Sequence, residues 1–408
     1  MNFYFDNNSL NLDHVPEVSE IRPFQQFVDY YNVGEANFTI SKHYTESGVY
    51  LIETSKLTHQ WTGDLQAKHS FDLISEIPDH VVAAAQHKKL RIVIISIVEG
   101  DHYVKDECDG FRNLTDKIRI RKLPKFSVLI MSGNLRADIE YKNWCEVNNE
   151  DPIIEFIGAS EGPTSIPQSN NLSCIEACLD DSSRSYNSLN RAPRQHRSEH
   201  LFYLAEKNIL EDGLVSGINF LDHRPKFLEI SDDHWHTVLL NNFPRSVDFD
   251  ADELKKYNPA NEINTSIYAK SLLSIVTETY FDQPGLFFSE KIFKPILAGS
   301  PQLTQAQPYA IKYLKEKFSI DLDFLGIDTS FDCIENHKER FLSFHESLLS
   351  WVHLCRSEKI KMIYNWKNQI SENMTTAKKL NFKKIIVDDV VKSTYLYFAK
   401  SFSNRNTV

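Results

Sequence analysis

Ser289, Glu290 and Lys291 stand in a row before the apolar pattern Ile292, Phe293, Ile296 and Leu297, and Ala298-Gly299-Ser300-Pro301 follows. A serine just ahead of a helical apolar pattern is a good N-cap, because its side-chain oxygen satisfies orphan backbone donors. The spacing therefore predicts a helix whose first turn carries an acid beside a cation. That pairing suits a nucleoside diphosphate. The Glu290 carboxylate can accept hydrogen bonds from ribose hydroxyls, while Lys291 and the positive helix end hold phosphate oxygens. Upstream, residues 272–279 (Leu-Leu-Ser-Ile-Val-Thr-Glu-Thr) read as a buried strand that brings Glu278 to the loop before this helix. The plain alternative is a capped amphipathic helix with both charges on its solvated side. A pair between Glu290 and Lys294, four residues apart, would then compete for the acid.

A second cluster gathers Arg191, Arg194, His196 and Arg197. A short strand is expected to end near Asn190, and a helix to start soon after Pro193, a residue tolerated in a first helical turn. Leu201, Leu204 and Ala205 continue that helix at the right spacing. The basic residues thus crowd a strand-to-helix junction, the place where open α/β sheets bind ligands. Arginine suits phosphate because its planar fork matches two oxygens at once. A solvated basic turn pairing with Asp180, Asp181 or Glu199 is the bland alternative.

Over roughly residues 184–305 the chain resembles the nucleotide-sugar site of GT-B glycosyltransferases, especially the fucosyltransferase-like group. The counterparts are an acidic strand end at Glu278, the helix start Ser289-Glu290-Lys291 and the turn Ala298-Gly299-Ser300-Pro301. Serine stands at 289 where that group usually has threonine, and Gln302 stands where an apolar strand residue is expected. The resemblance implies Glu290 on the ribose, Lys291 on the diphosphate, and at least one of Arg191, Arg194 and Arg197 on the diphosphate as well. Glu278 would lie near the sugar or the cleft floor. The implied architecture is α/β and GT-B-like: two Rossmann-like domains facing a cleft, with C-terminal helices returning to the first domain. The implied activity is sugar transfer from a nucleoside-diphosphate sugar to an acceptor hydroxyl on a glycan, a small molecule or a hydroxymethylated DNA base of phage type. No cofactor and no metal are expected to be required. A non-catalytic nucleotide-sugar-binding or assembly protein is the alternative from another class.

An inverting transfer needs a base to take the acceptor proton. The strand ending at Val98 delivers Glu99, Gly100, Asp101 and His102 to the right edge of the first sheet. Asp101 is the first choice, Glu99 and His102 come next, and Glu161 is an outside candidate. A retaining enzyme would need no such base.

These clusters require two α/β units to hold them. With 408 residues, the chain is long enough for two cores. The net charge of −11 excludes a uniformly basic nucleic-acid coat protein. Strands are expected over 37–40, 49–52, 90–98, 126–131 and 153–157, with helices over 79–87 and 134–146 between them. That alternation predicts a parallel sheet. The turn-rich stretch 162–171 is the expected boundary. It gives an acceptor-side domain over 1–170, a nucleotide-sugar domain over 171–370 and crossover helices over 371–408, with the aromatic run 395–398 as their contact. No Gly-x-Gly-x-x-Gly or P-loop pattern is present. Six cysteines lack any Cys-x-x-Cys pair, so Cys174 and Cys178 read as buried free thiols. No secretory signal and no membrane-length apolar run is visible, so the expectation is a cytoplasmic protein (host cytoplasm if phage-encoded) without membrane insertion.

Two further stretches carry chemistry-bearing residues. Asp232-Asp-His-Trp-His236 has metal-ligand types without a zinc spacing, and reads as a satisfied loop. Residues 117–125 read as a basic alternating strand, which would suit an anionic acceptor such as DNA or an acidic glycan if it were not simply solvated.

Overall fold

A computed structural model describes residues 2–4, 39–41, 48–53, 73–96, 103–105, 108–160, 162, 171–190, 192–217, 224–245 and 263–403. The chain divides into two α/β, Rossmann-like units. One comprises Met1–Glu161, Gln283–Phe287 and Asn381–Val408, and the other Gly162–Asp282 and Phe288–Leu380.

The first unit contains β1 (Asn2–Tyr4), β2 (Thr39–Ser41), β3 (Gly48–Glu53), β4 (Leu90–Ser96), the short antiparallel ribbon β5 (Val104–Lys105) and β6 (Cys108–Asp109), then β7 (Val128–Ser132) and β8 (Glu155–Gly158). Six of these form one parallel sheet in the order β2-β1-β3-β4-β7-β8. Helices α1 (Leu73–Glu76), α2 (Asp79–Gln86), α3 (Gly110–Ile120) and α4 (Ala137–Val147) lie between the strands in sequence. Strand β4 is buried from end to end, because both sheet faces are covered. Ile92, Ile94, Val128 and Ile130 pack with the α2 and α3 residues Val81, Leu114 and Ile118. Val93, Ile95, Leu129 and Met131 pack on the other side with Val390 of the terminal helix Phe382–Ser403.

That helix is anchored by a residue that hydropathy does not flag. Arg91, in the middle of β4, is fully buried and donates to Ser393 Oγ and Glu155 Oε2, each at 2.6 Å. Its guanidinium also lies 5.1 Å from the Tyr397 ring centre. Within the aromatic run, Tyr397 is buried while Tyr395 and Leu396 are exposed. The five residues Gln283–Phe287 belong to this unit through Asn134, whose Oδ1 accepts from Leu286 N at 3.1 Å.

The basic stretch 117–125 is not a strand. Asp109 caps α3 by accepting from Arg112 N, and Phe111, Leu114, Thr115 and Ile118 form its buried face. Ile120, which alternation would bury with Ile118, is 70% exposed. Helical period explains the burial and the two-residue period does not. Charges on this helix and its C-cap also find partners: Arg112 and Arg119 both pair with Glu150, and Arg121 with Asp79.

The second unit has α5 (Ser173–Leu179), β9 (Tyr186–Asn190), α6 (Gln195–Glu206), β10 (Gly213–Gly217), α7 (Asp232–Asn242), α8 (Thr265–Tyr268), β11 (Ser274–Thr277), α9 (Glu290–Leu297), β12 (Gln302–Gln305), α10 (Ala310–Phe318), α11 (His337–His353) and α12 (Arg356–Lys379). Its parallel sheet runs β10-β9-β11-β12. Unlike the first sheet, its interior is rich in polar groups. Asn187, Ser188, Asn190, Ser274, Thr277, Gln302, Thr304 and Gln305 are all buried. Gln302, where an apolar residue was expected, is buried and donates to Thr304 Oγ1 at 3.1 Å. Residues 232–236 open α7 instead of forming a loop: Ser231 caps it, Trp235 is buried, and His234 meets Glu206 at 3.1 Å. No described helix is long and apolar enough to cross a membrane.

Candidate functional site

Strand order in the second unit reverses between β9 and β11. From β9 the chain crosses through α6 to β10 on one side, and from β11 through α9 to β12 on the other. Right-handed crossovers then put α6 and α9 on opposite faces, which opens a crevice at the carboxyl ends of β9 and β11. Both clusters singled out from the sequence lie in the segments that leave these two strands, in the loops or in the first turns of α6 and α9.

On the β11 side, the loop ends in the expected cap. Ser289 has extended backbone and its Oγ accepts from Lys291 N at 3.2 Å. Lys291 Nζ lies 3.1 Å from Glu290 Oε1 and 3.4 Å from Ser289 Oγ, and both side chains are partly exposed. Gly299, at φ +67°, ends the helix in the left-handed conformation, and Ser300 N closes the turn on Pro295 O at 2.9 Å.

Glu278 takes a place that the sequence does not reveal. Its side chain is fully buried behind the helix start. One oxygen accepts from Thr279 N (2.9 Å), Ser289 N (3.3 Å) and Ser289 Oγ (2.7 Å), and the other from Ile292 N (3.2 Å). The carboxylate thus serves as an internal anion at the positive end of α9. Burial pushes its pKa up, while Lys291 and the hydrogen bonds from Ser289 and Thr279 pull against that. The expectation that the main chain of this helix start holds phosphate is therefore corrected. Of its amides, Ser289, Lys291 and Ile292 already donate within the protein.

On the β9 side, Arg194 is the N-cap residue of α6 and is exposed, with its guanidinium 5.9 Å from the Tyr280 ring centre. The two loops of the crevice therefore meet through this pair. Arg197 is placed differently. It is buried, and its guanidinium donates to the carbonyls of Thr277 (3.0 and 3.2 Å), Glu278 (2.9 Å) and Ala192 (3.1 Å). It ties the carboxyl end of β11 to the β9 loop instead of facing a ligand. His196 adds a bond to the Glu278 carbonyl at 2.8 Å and stacks on Phe281; burial and Arg197 lower its pKa to about 3. Glu199 accepts from the amides of Lys226, Phe227 and Leu228, so it holds the 226–228 loop. Arg191, Glu99, Asp101, His102 and Glu161 lie outside the described residues.

Beneath the crevice runs a buried hydrogen-bond chain. His345 Nδ1 lies 2.7 Å from the Phe341 carbonyl, so it carries the proton there and its Nε2 must accept. His200 Nδ1, at 2.9 Å, then donates to it, and His200 Nε2 accepts from Ser188 Oγ at 3.0 Å. Asn190 Nδ2 donates to Ser188 Oγ at 2.9 Å, and Asn190 Oδ1 accepts from Thr277 Oγ1. Each donor in this chain meets an acceptor when both imidazoles are neutral, the state that their burial favours. Burial drives both pKa values down, that of His345 to about 3. Only the pairing of side chains from α6 and α11, remote in sequence, reveals this chain.

Among the described residues there is no cluster of three or more potential metal ligands. Compared with known proteins, the chain matches no family model and no curated sequence.

Proposed function

We propose that the protein is a GT-B-like glycosyltransferase that binds a nucleoside-diphosphate sugar at the carboxyl edge of the second unit's sheet. The observation that supports this reading is that Arg194 and the Glu290–Lys291 pair stand on the segments that leave β9 and β11, the two strands at which the sheet order reverses and where open α/β sheets take their ligands. Because Glu278 closes the main-chain amides of α9, the diphosphate is held by side chains, Lys291 and Arg194, with the Glu290 carboxylate on the ribose hydroxyls. Two cations beside the leaving diphosphate supply charge neutralisation as the glycosidic bond breaks. An inverting transfer would need a carboxylate or histidine to take the acceptor proton, for which Asp101, Glu99 and His102 are the sequence-based choices.

Lys291→Ala tests the site. Donor turnover, followed as nucleoside-diphosphate release over a panel of nucleotide sugars, is expected to fall about 100-fold with the thermal midpoint unchanged. Undiminished turnover refutes the assignment. The internal capping by Glu278 favours a second reading, a protein that binds the nucleotide sugar without transferring it. Calorimetric binding without hydrolysis or transfer to glycans, small hydroxyl compounds or hydroxymethylated DNA would establish that reading instead.

A further inference from the structure

We infer that the amino edge of the first unit's sheet is a docking surface for the phosphate backbone of duplex nucleic acid, whether or not the second unit binds a nucleotide sugar. The chain as a whole carries a net charge of −11, yet every charged side chain in residues 87–89 and 117–125 is basic. These two stretches close helices α2 and α3 and lead into β4 and β7, which pair in parallel as neighbours. Gln86 Nε2 donates to the Arg121 carbonyl at 2.9 Å, and Arg91 Nε to the Phe126 carbonyl at 3.2 Å. The two basic turns therefore lie side by side.

Both helices end in the same motif. Lys89 N donates to the Ala84 carbonyl (3.0 Å) and Lys88 N to that of Ala85 (2.9 Å). Leu123 N donates to the Ile118 carbonyl (3.0 Å) and Lys122 N to that of Arg119 (2.9 Å). Such an ending puts one residue in the left-handed region, which glycine and then asparagine enter most easily. Lys88 stands there at φ +55° and Lys122 at φ +52°. At the matching ends of α4 and α6 the chain instead uses Asn149 and Asn208, at φ +53° and +56°. A lysine Cβ crowds the following carbonyl in this conformation. Nor is either lysine needed as a cap, because main-chain amides already serve the helix-end carbonyls. Local preference is overridden on both neighbouring turns, which calls for a cause outside the helix ends.

The charges point to a polyanion. Arg119 pairs with Glu150, Arg121 with Asp79, and Lys125 lies 4.0 Å from Asp151. Lys88, Lys89 and Lys122 are exposed and have no ion-pair partner among the described residues. The two helix ends beneath them contribute about half a negative charge each, which leaves the three ammonium groups in excess. A bilayer surface would call for apolar side chains to insert, and a single isoleucine, Ile120 at 70% exposure, is what these turns offer. Phe126, the aromatic residue of the second turn, is only half-exposed and is not free to stack on bases. Ammonium groups on adjacent turns without a stacking ring match the phosphates of a duplex, which carry charge but no sequence.

Fluorescence anisotropy of a labelled duplex of about 20 base pairs, titrated with the full chain from about 20 to about 200 mM salt, tests this. Contacts from three lysines predict that log affinity falls against log salt with a slope of about −3. Lys88→Asn combined with Lys122→Asn removes two of them. The slope should become shallower by about 2, and affinity at low salt should fall at least about tenfold. Because asparagine holds the same backbone position at the ends of α4 and α6, the thermal midpoint of this variant should hold or rise. Lys361→Gln combined with Lys367→Gln, exposed lysines of α12, makes the same change in net charge and should leave duplex binding as it is. A wild type that ignores the duplex at low salt overturns the inference, and so does an unchanged slope in the Lys88→Asn, Lys122→Asn variant. Equal weakening by the α12 pair assigns the effect to overall charge and overturns it too. If vesicles of phosphatidylcholine with phosphatidylserine bind the wild type but not that variant, while the duplex binds neither, the surface docks lipid and the nucleic-acid assignment is wrong.

Discussion

The buried imidazole pair makes the second unit acid-sensitive in a way that one substitution can isolate. His345 has a folded pKa of about 3 against an ordinary 6.5, because burial disfavours the imidazolium. A depressed histidine pKa means that the unfolded chain binds the proton and the folded one does not. Its contribution to stability is therefore complete above about pH 6.5 and is lost as pH falls from there towards the folded value. Between about pH 7.5 and about pH 5 the unfolded imidazole becomes almost fully protonated while the folded one stays neutral, which removes about 2 kcal/mol. His196, also at about 3, loses a similar amount, and His200 moves in the same direction. Glu199, Glu278 and Asp332 act in the opposite sense. Burial raises their pKa values, so acidification relieves a penalty that they carry at neutral pH. The wild-type profile is thus a sum of opposed contributions, and only a difference separates them. In His345→Gln the new amide can accept from His200 Nδ1 and donate to the Phe341 carbonyl, so the chain stays connected while its titrating member is removed. Urea unfolding of both proteins at the two pH values should show the variant losing about 2 kcal/mol less than wild type on acidification. An equal acid loss in both proteins, within about 0.5 kcal/mol, would refute the claim that a buried neutral His345 sets this sensitivity.

Glu278→Ala strands four donors, three of them at the start of α9, and urea titration should show a loss of about 3 kcal/mol or more; Glu278→Gln, which keeps one acceptor oxygen, should lose less. Cys174 and Cys178 have thiols pushed up by burial to about 12 and about 11, so a thiolate-selective reagent near neutral pH should label exposed Cys333 and Cys355 quickly and these two only on unfolding. Mass spectrometry of the labelled protein reads this directly, and fast modification of Cys174 in the folded state would contradict its placement.

How much was legible followed from how each sheet is built. Strands β4 and β7 are apolar on both faces, so composition alone marks them as buried. Strands β9 and β12, Tyr-Asn-Ser-Leu-Asn and Gln-Leu-Thr-Gln, look like exposed or irregular segments; the buried polar groups of β9 bond to Ser271, to β11 and to helix α6, whereas in β12 Gln302 donates only to Thr304 of the same strand. The capping serine at 289 and the left-handed Gly299 could be read locally, since a cap and a turn depend on a few adjacent residues. The role of Glu278 could not. Its partners Ser289 and Ile292 lie 11 and 14 residues away, across a loop whose path the sequence does not specify. The basic stretch 117–125 misled for a related reason: Ile118 and Ile120 alternate like a strand, and the cap at Asp109 that sets helical period lies outside the stretch.

The charges in the second unit sort into two layers with different duties. Arg197, His196 and Glu278 are buried and act mainly on main chain, fixing the carboxyl end of β11 and the start of α9 before any ligand arrives. Lys291, Glu290 and Arg194 are at least partly exposed and sit on that fixed frame. A frame held by buried hydrogen bonds keeps the outer groups in place without a ligand's help, so little of the binding energy need go into ordering it. It also keeps amides at the start of α9 from binding solvent anions, because Glu278 already accepts from Ser289 N and Ile292 N, and Ser289 Oγ from Lys291 N. Selectivity for a nucleotide sugar over free phosphate would then come from the side chains of Arg194, Glu290 and Lys291, not from helix ends, which attract any anion. Inorganic phosphate should accordingly compete poorly with the donor, and effective competition at submillimolar phosphate would show that the helix starts are open after all.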